Sequence, residues 1–115
     1  MDQDFDIVKY VFDSLKSLDI PVYFASRKEV SPPLVIFNVT DERGSVHWDD
    51  EEAVTFYSVT VNIFSRDNFI KYKNKIINLL KQAGFIRYSV PACFYLEDVD
   101  IYNQPIEFRY YRENY

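Results

Sequence analysis

The stretch from Ala53 to Gly84 constrains the fold of this chain more than any other. In Tyr57-Ser58-Val59-Thr60-Val61-Asn62-Ile63 apolar residues alternate with small polar ones. Successive strand side chains point to opposite faces, so the stretch predicts a strand with one oily and one polar face. A helix follows directly. Phe69, Tyr72, Ile76, Leu80 and Ala83 share its inner face, widened by Ile70 and Ile77. Ser65-Arg66-Asp67-Asn68 offers several N-cap residues, and Gly84 suits the left-handed residue that closes a helix, with Phe85 as the apolar contact beside it. A strand and a helix with matching oily surfaces require the rest of the chain to bury them.

The remaining patterns supply that cover. From Gln3 to Leu18, Phe5, Val8, Phe12 and Leu15 recur at steps of three and four, with Ile7, Val11 and Leu18 alongside; Asp4 and Asp6 fall in the first turn. Pro21 ends this first helix, and Pro21 to Ala25 reads as a short strand. After Pro32-Pro33, Leu34 to Thr40 forms a second strand whose first four residues are all apolar. Asp41 to Glu52 is acidic and breaks the alternation, so it reads as a long connection with some extended character around Val46 and Trp48. Phe85 to Tyr88 is ambiguous and Pro91 interrupts it; Ala92 to Val99 is the better candidate for a strand. Asp98 to Gln104 is then a turn into Ile106 to Arg112, where Ile106, Phe108 and Tyr110 share one face and Glu107, Arg109 and Tyr111 the other. The expected architecture is a single α+β domain spanning residues 1–115. A mostly antiparallel sheet of about five strands packs with two helices, in the order α-β-β-β-α-β-β.

Composition narrows the function classes. A net charge of −5 opposes non-specific binding to phosphate backbones, which argues against a free-standing nucleic-acid binder. With 10 Tyr and 10 Phe, large rings must dominate burial. Cys93 is the only cysteine, so no internal disulfide, thiolate zinc cluster or redox pair can be built within one chain. The N-terminal residues are acidic where a secretory signal is basic, and no apolar run approaches the ~20 residues of a membrane span, so the expected compartment is the cytoplasm.

Nothing here spells out a catalytic motif, a cofactor site or a metal site. His47 lies among acids, but these lack the spacing of a calcium loop, and a single histidine provides no triad. Cys93 sits in an apolar stretch beside Phe94, where burial would hold the thiol inert. Neither glycine belongs to a phosphate-binding pattern. Charge segregation is the more informative feature. Asp41 to Glu52 holds six acids against Arg43, a net of −5, whereas Arg66 to Lys81 holds five cations against Asp67, a net of +4. Opposite poles of this kind arise from ordinary solvated faces, and they also suit head-to-tail association of like subunits. The candidate interface residues are Arg43, His47, Asp49, Asp50, Glu51 and Glu52 at one pole and Lys71, Lys73 and Lys75 at the other, with Trp48 as the aromatic anchor.

The order of elements resembles the tail completion, or tail terminator, proteins of tailed phages and prophages. The match runs through Ile7 to Leu18, Pro21 to Phe24, Pro33 to Phe37, the acidic segment from Asp41 to Glu52, Phe56 to Phe64, Tyr72 to Gly84, and Phe94 to Tyr110. It covers nearly the whole chain and is architectural, with no catalytic residue to carry over. The resemblance implies a non-enzymatic hexameric ring that caps the tail tube and docks the head connector. Strands and loops would be exchanged between ring neighbours, and DNA would pass through the lumen only as cargo. It also implies a host cytoplasm during assembly and the virion afterwards. The same architecture would serve a head-closure or neck protein. A small α+β adaptor that binds a protein or ligand against its sheet is the alternative from a different class.

Overall fold

The computed structural model describes residues 5–26, 31–48 and 51–113, with side chains described for all of these except 45–48 and 51–53. Two helices and six strands follow in the order α1 (Ile7–Ser14), β1 (Val22–Phe24), β2 (Leu34–Trp48), β3 (Glu51–Ser65), α2 (Ile70–Gln82), β4 (Ile86–Ser89), β5 (Phe94–Leu96) and β6 (Ile101–Glu113). The fold is α+β, as the patterns require, with six strands where about five were expected. The sheet order is β1-β2-β3-β6-β4, with β5 also on β6, so β4 and β5 share one margin. All pairings are antiparallel except β1 with β2.

Helix ends follow local chemistry. Asp6 caps α1 by accepting from the Lys9 amide at 3.1 Å, while the expected first-turn Asp4 lies outside the described residues. Asn68 Oδ1 accepts from the Ile70 amide at 3.0 Å at the start of α2. At the end of α2 the Phe85 amide donates to the Leu80 carbonyl and the Gly84 amide to that of Lys81, with Gly84 at φ +95°. This pair of hydrogen bonds around a left-handed glycine is the stop signal that Gly84-Phe85 predicts.

Both helices cover one face of the sheet. Val35 and Phe37 of β2, Val59, Val61 and Ile63 of β3 and Ile106 and Phe108 of β6 meet Val11, Leu15, Ile76 and Leu80 in a fully or almost fully buried core. Odd-numbered residues of β3 are buried from Thr55 to Ser65 and even-numbered ones are half-buried, which is the predicted alternation. Ile70 does not join the inner face of α2; it is exposed.

The segment Asp41 to Glu52 departs most from expectation. It is not a loop: β2 continues to Trp48, β3 begins at Glu51, and the two pair out to Trp48↔Glu51. The alternation is lost because register shifts interrupt it, the first between Val39 and Asp41. The last strand also starts earlier than expected, at Ile101, so the turn before it shortens to residues 97–100. The ambiguous segment after Phe85 is strand β4, and the strand expected over Ala92 to Val99 contracts to Phe94–Leu96. The long hairpin gives the molecule extents of 53 × 25 × 24 Å.

Candidate interaction site

Among the described residues no helix lies against the second face of the sheet. Cross-strand partners share a face, so the pairings Arg43↔Phe56, Asp41↔Ser58, Phe56↔Tyr111 and Ser58↔Arg109 bring Asp41, Arg43, Phe56, Ser58, Arg109 and Tyr111 together there. They line a shallow hollow of about 360 Å³. The Arg109 guanidinium lies 3.4 Å from the centre of the Tyr88 ring and 5.2 Å from that of Phe56, a cation held between two aromatic rings. Tyr111 meets Phe56 edge-on at 4.9 Å. Arg43 donates from Nε to Asp41 at 2.8 Å and pairs with the same carboxylate through Nη2.

Of the candidate interface residues at the acidic pole, Arg43 is the one whose side chain is described, and it sits on the open face. His47 and Trp48 belong to the backbone of β2, and Glu51 and Glu52 to that of β3; their side chains lie outside the description, as do Asp49 and Asp50 altogether. Lys71 and Lys75 are exposed on α2, and Lys73 is half-buried; the Lys71 ammonium lies 4.9 Å above the Tyr72 ring. Glu51 and Glu52 open β3 at the end opposite α2. Fourteen residue steps separate Glu51 from Ser65, about 45 Å of strand, and α2 begins just beyond Ser65.

Sequence reasoning missed the apolar margin formed by β4 and β5. Ile86, Tyr88, Phe94, Tyr95, Leu96 and Val99 are all between 41% and 56% exposed. The available signal was the run from Tyr88 to Leu96, nine residues without a charge. Cys93 precedes β5 in a non-strand segment and is half-buried. Burial pushes its thiol pKa up, and the nearby Lys73 ammonium pulls weakly the other way. Among the described residues no three of His, Cys, Asp and Glu gather where they could hold a metal ion, and no helix is long and apolar enough to cross a membrane. No family model matches the chain, and no curated protein matches it.

Proposed function

We propose that the chain is a non-enzymatic structural protein of the phage or prophage head-tail junction, a tail terminator that assembles into a ring on the end of the tail tube and docks the head connector. The observation that carries this reading is the placement of Glu51 and Glu52 at the end of β3 opposite the start of α2 and its lysines, a separation that a neighbouring copy can bridge. The resemblance in element order supports it, and so does the long β2–β3 hairpin, which gives each subunit an arm able to reach the next. A net charge of −5 suits a passage through which DNA slides without sticking. A hexamer is the expected ring, and the tail tube and head connector are its expected partners. Native mass spectrometry should give six subunits, and negative-stain micrographs a central hole. A chain that stays monomeric and leaves tail tubes uncapped would sink the reading.

The second reading, an adaptor, draws on the hollow between Arg43, Phe56, Arg109 and Tyr111. Two guanidinium groups beside aromatic rings suit a carboxylate-bearing segment. Backbone NMR shifts of Phe56 and Arg109 that stay fixed on titrating an acidic peptide would dismiss it.

A further inference from the structure

The geometry points to the β4–β5 margin as the seat of a second copy of this chain, whose β2 arm lies along it. The inference deepens the ring reading and rests on it only for the claim of self-association. Ile86, Tyr88, Phe94, Tyr95, Leu96 and Val99 leave on the order of 650 Å² open, taking about 150–250 Å² for a whole large side chain, close to the ~800 Å² that one partner brings to a standard interface.

Short strands, a register shift in β4 and Pro91 limit backbone pairing along this edge, so its apolar side chains carry the contact. Among the described residues β4 and β5 pair only with β6, and no charge interrupts Tyr88 to Leu96. Charged residues stand at its ends instead, Arg87 before it and Glu97, Asp98 and Asp100 after it, the anatomy of an apolar interface centre with a polar rim.

The complementary surface is present on the same chain. β1 covers β2 only at Val35–Phe37, so the outer row of β2 beyond Phe37 has no strand neighbour among the described residues. That open row carries Asp41 and Glu42, and the β4–β5 margin lies beside α2, whose Lys73 is close enough to act on the Cys93 thiol. An arm seated on the margin would set its acids toward the lysines of α2 while covering Phe94 and Leu96. One contact would then use both open edges of the sheet and both charge poles.

The test uses the full chain. Sedimentation velocity from 1 to 100 µM follows assembly of the wild type and of Phe94→Asp/Leu96→Asp, with circular dichroism confirming that the variant folds. Maleimide labelling of Cys93 in the unaltered chain gives a second readout that needs no variant. The expected results are assembly of the wild type, loss of assembly in the double variant, and Cys93 labelling that slows at least tenfold as concentration rises. If the wild type assembles but the variant matches it and Cys93 labels equally fast throughout, the margin is not the interface and the ring reading stands. A two-subunit species abolished by the substitutions keeps the inference and removes the ring. A wild type that is monomeric at 100 µM overturns both.

Discussion

The Tyr10 hydroxyl donates a 2.5 Å hydrogen bond to the Ala83 carbonyl, tying the middle of α1 to the last residue of the turn that ends α2. It is a direct link between two helices that otherwise meet through the shared core. Tyr10→Phe removes it while keeping the ring against Phe85 and Tyr110. The expected cost is about 1–2 kcal/mol, since a half-buried carbonyl loses its partner, read as a lower urea midpoint with an unchanged slope.

The same phenol gives the fold a pH dependence. Burial raises the pKa of Tyr10 above its usual value of 10.0, with the neighbouring Tyr110 adding to the shift. The unfolded chain then releases this proton at lower pH than the folded one. The stability tied to Tyr10 is complete below pH ~10 and is lost as pH rises through the folded pKa. Thermal melts between pH 9 and 11 should show a steeper decline for the wild type than for Tyr10→Phe.

Gly84 at φ +95° holds the close of α2, and a Cβ there would come 3.4 Å from the Tyr110 ring. The space is adequate and the backbone angle is not. Gly84→Ala is expected to cost about 1–2 kcal/mol, a fall in melting temperature of roughly 5–10 °C.

Arg109 is expected to contribute through its rings. Arg109→Ala gives up the contacts with Tyr88 and Phe56 and should lower stability by about 0.5–1 kcal/mol, the range for exposed cation–π contacts. A denaturation curve indistinguishable from wild type would show the stack to be energetically silent.

Replacing Lys71, Lys73 and Lys75 with glutamate should weaken assembly of the ring, and raising the salt concentration should weaken the wild type in the same direction. Both are read by sedimentation. If the triple variant assembles as the wild type does, the basic face of α2 is not part of the contact.

Much of this fold was legible in the sequence, and the exceptions have identifiable causes. Residues 57–63, the stripe through Ile76 and Leu80, and Gly84-Phe85 obey single periods or local cap chemistry, so their patterns survive into the structure. Asp41 to Glu52 did not read as strand because the period-2 pattern restarts at each register shift, and acidic residues are ordinarily poor strand formers. β4 and β5 are three or four residues long and largely exposed, and so lack the burial that creates a pattern. The cluster around Arg109 was half visible. Glu107, Arg109 and Tyr111 were placed on one face, but their meeting with Phe56 and Tyr88 depends on pairings between distant strands.

The extra residue at Thr40 has a consequence beyond local geometry. Val39 still pairs with Val59 over the core, but Asp41 pairs with Ser58, so from Asp41 to Gly44 β2 runs in the opposite phase. Counted from Val35 and Phe37, Asp41 and Arg43 would fall under the helices, yet both reach the open face. The bulge works as a phase shifter between two texts written on one strand. Before it, odd positions answer to the core; just beyond it, Asp41 and Arg43 answer to whatever meets the outside. Substitutions at Asp41 and Arg43 can therefore change the docking surface without disturbing the hydrophobic interior, whereas removing the extra residue at Thr40 would turn both toward the core.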